Sequence, residues 1–388
     1  MNHIAFIIPG LNRIGGAERQ LILMAHGLKQ RGWRVSVVAL SGTGGSAAAE
    51  LTSAGMAFLT LEMRKGLADP RGWIRFNHWL KQESPDVIHA HLPHAVWLAR
   101  WSRLAAPVRV LIDTLHSSNT GSSGRRIGYR LSNWLTDEVT AVSQAVAHAH
   151  LTSKMAAKIT VLPNGVNTDT WRPDAAVRTS LRNQLSLHNE FLWLAAGRLD
   201  PVKDYPTLLS ALAQLPPTAH LVIAGTGPCE SQLRQQSTTL GLDSRVRFLG
   251  FEPNVLRWMQ AADGLVLSSL WEGLPMAVLE AAACGLPTVA TNVPGTREAM
   301  QEGRSGWLVA PREPSLLAES MLRLMQTPNE IRQAMGTHAR QHVLDHFSLE
   351  AVLDRWDSLY QGLLLSHPKP ARHGIPGQIS VPLTSTSA

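Results

Sequence analysis

Residues 264–291 read GLVLSSLWEGLPMAVLEAAACGLPTVAT. A short apolar run, a turn, a helical run that closes on glycine and a second apolar run make one strand–helix–strand unit. The apolar runs are continuous rather than alternating, as expected of parallel strands covered on both faces. Two carboxylates, Glu272 and Glu280, stand inside this unit with only small or apolar residues between them.

The same rhythm extends in both directions. Strands are expected in HIAFIIPG (3–10), RVSVVAL (34–40), MAFLTLE (56–62), DVIHAH (86–91), VRVLIDTLH (108–116) and EVTAVS (138–143). It restarts after ITVLPNGV (159–166) with FLWLAAGRL (191–199), HLVIAGTG (220–227), VRFLG (246–250), GLVLSS (264–269) and TVATN (288–292). Amphipathic stretches lie between, such as 17–32, which ends on Gly32. Two such series predict an α/β protein of two doubly wound Rossmann-like domains. Ligands in these folds bind beyond the carboxyl ends of the strands, so the site is expected in a cleft between the domains. The expected division is 1–165, 166–347, a helix over 348–365 and a disordered tail over 366–388, with 304–346 mostly helical.

The 388 residues are 44% hydrophobic, with 36 basic and 29 acidic side chains and a net charge of +7. No apolar run reaches the roughly 18 residues of a membrane span, and MNHIAFIIPG has no basic start or small-residue cleavage site, so a soluble, cytoplasmic protein is expected. Two cysteines, Cys229 and Cys284, encode neither a disulfide framework nor a thiolate metal site. The positive charge points to an anionic partner. It is dispersed and accompanies no nucleic-acid motif, which favours phosphorylated ligands or an acidic lipid surface.

Candidate site residues fall at strand ends. Arg198 and Lys203 in GRLDPVKDY suit a phosphate or diphosphate, or else form an interdomain salt bridge or a solvated loop. Gly225 and Gly227 in IAGTGP allow close backbone approach to a ligand, or simply make a tight turn. Gly273, Leu274 and Pro275 precede a helix whose free N–H groups favour an anion, with Pro275 expected in the first turn. Glu272 and Glu280 then suit hydroxyl groups, unless one is simply exposed and the other a cap. Gly15 and Gly16 in PGLNRIGGAERQ (9–20) form a turn after the first strand. His89, His91 and His94 cluster at a strand end without a recognisable fourth zinc ligand. His116 ends another strand before the polar loop SSNTGSSG. No D-x-D pair is present to hold a divalent ion against a diphosphate, so no metal is expected.

Together, GRLDPVKDY, IAGTGP, EGLPMAVLE followed by AAACGLPTVATNVPG, GGAER near the start and PNGV (163–166) resemble glycosyltransferase family 4, retaining enzymes of the GT-B fold, over about residues 1–365. The resemblance implies that the last helix crosses back to the first domain. It implies that Arg198 and Lys203 neutralise the donor diphosphate and that Glu280 binds the ribose. Glu272, with the Gly273–Pro275 backbone, would contact the donor sugar. His116 would stand beside that sugar, and Gly15 and Gly16 would cover the diphosphate. The acceptor side would involve Gly16, His91 and His116. Many members carry aspartate or glycine after the histidine, where this chain has Ser117.

The expectation is a metal-independent transferase, needing no cofactor, that moves a hexose or N-acetylhexosamine from a nucleotide-sugar. The donor is expected to be a UDP-sugar, and the acceptor a saccharide or polyprenyl-diphosphate-linked saccharide of surface polysaccharide synthesis. The alternatives are a UDP-sugar 2-epimerase on the same fold and a catalytically silent sugar-binding relative.

The first half also carries RGWIRFNHWLKQ (71–82), VWLARWSRLA (96–105) and GRRIGYRLSNWL (124–135). In the last, Ile127, Leu131, Trp134 and Leu135 share a helical face, with Arg125, Arg126 and Arg130 elsewhere. That pattern suits the anionic inner face of a cell membrane, although any helix packed on a sheet has an apolar stripe.

Overall fold

The computed structural model describes residues 1–12, 14–64, 69–106 and 108–368. Two wholly parallel sheets organise them. The first has seven strands in the order β3-β2-β1-β4-β5-β6-β7, with β1 (His3–Ile8), β2 (Arg34–Ala39), β3 (Ala57–Thr60), β4 (Val87–His91), β5 (Val110–Leu115), β6 (Glu138–Ala141) and β7 (Thr160–Val161). The second has six in the order β10-β9-β8-β11-β12-β13, with β8 (Phe191–Ala196), β9 (Ala219–Ala224), β10 (Val246–Gly250), β11 (Gly264–Leu267), β12 (Thr288–Thr291) and β13 (Gly306–Val309). In each sheet the strand order reverses beside the first strand, β1 or β8. The central strands are buried along their whole length, which is why they lack alternation.

Two strands correct the sequence reading, β13 and the two-residue β7. GWLV forms β13, paired with β12, within the stretch expected to be mostly helical. It is a four-residue edge strand whose Trp307 and Leu308 are only half-buried, so it lacks the buried run that marks the others.

The chain passes between the sheets twice, side by side. Val166 N donates to Phe347 O at 2.8 Å, and Leu349 N donates to Val166 O at 2.8 Å. The helix Leu349–Ser366 then lies on the helix Gly16–Gln30 of the first half, in contact where Gly27 leaves room for Leu353. The expected crossing helix is therefore present, shifted by one residue from the reading. Of the tail expected from 366, Ser366 belongs to this helix and residues 369–388 lie outside the described residues.

The docking is polar as well as apolar. Trp33 Nε1 donates to Asp357 Oδ1 at 2.7 Å, and Tyr360 Oη meets His89 Nδ1 at 2.8 Å. His89 Nε2 contacts Thr114 Oγ1 (2.6 Å), which contacts Thr140 Oγ1 (2.7 Å), which donates to the Asp113 carbonyl (3.1 Å). Because a carbonyl only accepts, every proton in this chain runs one way, and Tyr360 is the donor to His89. His89 is thus a core residue joining the last helix to the sheet.

The apolar face read in 124–135 is divided. Leu135 is buried, whereas Ile127, Leu131 and Trp134 are exposed, Trp134 by 70%. The short helix Asn133–Leu135 turns Leu135 inward, which a continuous helical projection misses. No helix among the described residues is long and apolar enough to cross a membrane.

Candidate active site

The carboxyl ends of both sheets face a cleft of about 600 Å³. Gly15, Gly16 and Arg19 line it from the first half, and Arg198, Lys203, Gly225, Glu272, Leu274, Pro275 and Glu280 from the second. The loops after β8 and β11 are tied together where they approach it. Leu270 N donates to Val202 O (2.8 Å), and Ser268 Oγ donates to Lys203 O (2.8 Å). This sets Lys203 Nζ against Glu272 Oε1 at 2.6 Å, an oxygen that also accepts from Ser269 Oγ at 2.6 Å. The pair joins two loops of the same half, so it is not an interdomain bridge.

Arg198 behaves differently. Its side chain is 74% exposed and, among the described residues, meets only Asp200 Oδ2, at 3.0 Å from Nε and 2.9 Å from a terminal nitrogen. A solvated pair of this kind is weak, leaving the guanidinium available to a stronger anion.

Neither glutamate is an exposed or capping residue. The side chains of Glu272 and Glu280 are only 11% and 12% exposed. Burial raises the Glu280 carboxyl to about 7, opposed by Arg19, whose guanidinium stands 3.8 Å away across the cleft. Pro275 is the extended N-cap rather than a first-turn residue, and the helix begins at Met276 beside the cleft.

Gly227, Gly273, His91 and His116, all expected at the site, are not among the residues lining the cleft. A side chain on Gly227 would run into the Leu199 backbone, so this glycine serves the packing of two loops. His91 is fully buried and holds His116 Nε2 through its Nδ1 at 2.9 Å. Burial holds His91 well below the usual histidine range and His116 at about 4, so both are neutral near pH 7. His116 instead faces an adjacent small cavity, and His94 is exposed. Among the described residues no group of three or more His, Cys, Asp or Glu side chains is placed to hold a metal ion.

Gly273 lies where the backbones of the two halves meet. A Cβ there would lie 2.5 Å from the His116 carbonyl oxygen, and Ser143 Oγ already donates to the Gly273 carbonyl at 2.7 Å. Beside it, Glu298 accepts from Gln144 N and Ala145 N (2.6 and 2.7 Å), capping a helix of the opposite half. Gly273→Ala is expected to keep the fold and nucleotide affinity while lowering turnover at least about tenfold, because two backbones must part to admit the methyl group. Parallel calorimetry and transfer assays check this.

Sequence reasoning missed Arg19, Ser269, Phe251 and Glu298. Phe251 follows β10 directly, is exposed and lines the cleft, so the strand-end rule was able to find it. Glu298 had no local signal, since its partners are remote in sequence.

Paired parallel sheets facing a cleft, side-by-side crossings and a returning last helix define the GT-B class. Residues 14–170 match the family described as Glycosyltransferase Family 4, and residues 177–342 match Glycosyl transferases group 1. A D-inositol 3-phosphate glycosyltransferase from Frankia alni is 30% identical over 330 residues, covering 76% of each chain. A UDP-Gal:α-D-GlcNAc-diphosphoundecaprenol α-1,3-galactosyltransferase from Escherichia coli is 25% identical over 318 residues, 77% of this chain and 81% of that one. The crystal structure of Anabaena HepE in complex with UDP superposes with a TM-score of 0.81 at 24% identity, covering 93% of this chain and all of that one. The chain belongs to the group 1, family 4 glycosyltransferases.

Proposed function

We propose that the protein is a retaining transferase that moves a hexose or N-acetylhexosamine from a UDP-sugar to a saccharide carried on a polyprenyl diphosphate, in surface polysaccharide assembly. The observation that carries this is the Lys203–Glu272 pair, held at 2.6 Å by two strand-end loops in a cleft that also contains Glu280. The relatives of lipid-linked and polysaccharide synthesis support the acceptor class.

In this reading Arg198 and Lys203 hold the donor diphosphate, Glu280 accepts hydrogen bonds from the ribose, and Glu272 orients the donor sugar. Gly15 and Gly16 close over the phosphates, and the backbone from Gly273 to Pro275 lies against the sugar. Breaking the anomeric bond moves negative charge onto the departing nucleotide. Cations fixed there stabilise the transition state more than the ground state. No metal is required. Glu272 is already engaged by Lys203 and Ser269, which disfavours it as a covalent nucleophile. Retention then proceeds by front-face attack, with a donor phosphate oxygen taking the acceptor proton.

The two units are 1–165 and 166–347, with the last helix from 348 returning to the first. Their hinge is the Val166 to Phe347 and Leu349 pairing, the place where both connections cross.

Calorimetry with UDP, GDP and ADP in the presence of chelator tests the donor assignment. Selective UDP binding supports it, and no nucleotide binding returns the silent-relative reading. Proton coupling at the new anomeric centre tests retention, and a trapped glycosyl adduct on the protein refutes front-face attack.

The protein in this proposal works at the inner face of the cell membrane. Exposed Ile127, Leu131 and Trp134 supply apolar contact beside Arg126 and Arg130. Leu131→Ser with Trp134→Ser is expected to lower co-sedimentation with anionic vesicles at least about tenfold, leaving UDP affinity unchanged. Equal sedimentation of variant and wild type removes this face from the proposal.

A further inference from the structure

We infer that the cavity beside His116 binds the phosphate of a glycosyl-phosphate acceptor, with Arg125 as its cation, an inference that rests on the transferase reading above. The cavity, about 40 Å³, has room for one small group and is lined by His116, Asn119, Arg125, Tyr129 and His150 among others, none of them a carboxylate.

Arg125 differs from the other buried or half-buried arginines near it. Arg100 is paired with Asp113 at 2.7 Å and Arg103 with Asp137 at 2.8 Å. Arg126 donates to the Gly121 carbonyl and Ser123 Oγ. The half-buried Arg125 guanidinium has no ion pair or hydrogen-bond acceptor among the described residues. A cation in that position is stabilised by an anion from outside the chain.

His150 makes the second, independent observation. It is only 4% exposed, and its Nε2 meets the Ser117 carbonyl at 2.9 Å. The carbonyl can only accept, so Nε2 carries the proton and the neutral ring leaves Nδ1 as an acceptor. That Nδ1 is buried and has no partner. It matches a hydroxyl hydrogen. An unpaired cation and an unpaired acceptor lining one small cavity fit a phosphate group that brings anionic oxygens to Arg125 and a hydroxyl hydrogen to His150.

The position suits an acceptor. His116 forms one wall, and its carbonyl lies against Gly273, next to the cleft-lining Glu272. On the other side, Met155 is shared with a cavity of about 520 Å³ lined by Arg130, Leu151 and Lys154. That cavity offers a lipid a way out towards the exposed Leu131 and Trp134.

The test measures, on protein saturated with UDP, the affinities of N-acetylglucosamine 1-phosphate, methyl N-acetylglucosaminide and inorganic phosphate. Arg125→Met is expected to weaken the sugar phosphate at least tenfold, to leave UDP affinity and the thermal midpoint unchanged, and to have no effect on the phosphate-free glycoside. Arg125→Lys is expected to recover part of the loss. Unchanged sugar-phosphate binding by Arg125→Met overturns the inference, as does inorganic phosphate binding as tightly as the sugar phosphate, which marks a free-anion site. If the wild type fails to bind UDP, the transferase reading itself fails. UDP binding with no Arg125 effect removes only the acceptor subsite.

Discussion

Lys203→Ala is expected to lower kcat/KM for sugar transfer by about 10²–10³-fold, the usual loss when a preorganised group that meets developing charge is removed. The geometry gives the reason. Lys203 Nζ is held 2.6 Å from Glu272, so the ammonium is already positioned, and an arriving diphosphate meets it without ordering a free side chain. Arg198 is the contrasting case. It is exposed and must be drawn in, so Arg198→Ala should cost less than Lys203→Ala despite the greater hydrogen-bonding capacity of arginine. UDP affinity by calorimetry and single-turnover transfer separate the binding loss from the chemical one. A loss below about threefold in both means that Lys203 serves only to neutralise Glu272.

This contrast was invisible in the sequence, although both residues were legible there. The strand-end rule located Arg198, Lys203, Glu272 and Glu280 because continuous apolar runs fixed where β8 and β11 finish, and loops at those ends have few places to go. The same logic recovered every strand with a buried run and failed at β7 and β13, short edge strands that bury little. Histidines were harder. His89 lies within β4, His91 ends it and His116 follows β5, and spacing cannot say which faces a ligand. Packing decides it: the last helix covers His89 through Tyr360, and β5 places His116 over His91. Contacts between halves, such as Gly273 against His116 and Glu298 on the helix at Gln144, join residues more than 150 positions apart, and no local pattern encodes them.

Glu280→Gln is expected to act in opposite directions on stability and on donor binding. Burial raises the Glu280 carboxyl from its ordinary 4.5 to about 7 in the folded chain. Between those values the native state binds more protons than the unfolded state, so folding stability falls as pH rises. Each pH unit across the interval costs about 1.4 kcal/mol, or about 3 kcal/mol in all above pH 7. Glutamine has no charge to desolvate, so the variant should be more stable than the wild type by up to about 3 kcal/mol at pH 8 and equal to it near pH 4. Urea denaturation at both pH values measures this. UDP affinity at pH 8 should meanwhile fall about ten- to a hundredfold, because a carboxylate accepting from ribose hydroxyls makes the stronger hydrogen bonds. By the same sign, wild-type UDP affinity should weaken as pH falls through 7. A carboxylate kept for packing gives another pattern, with Glu280→Gln neutral or destabilising and nucleotide affinity untouched. A stability gain joined to a binding loss identifies a buried charge that folding tolerates because the ligand needs it.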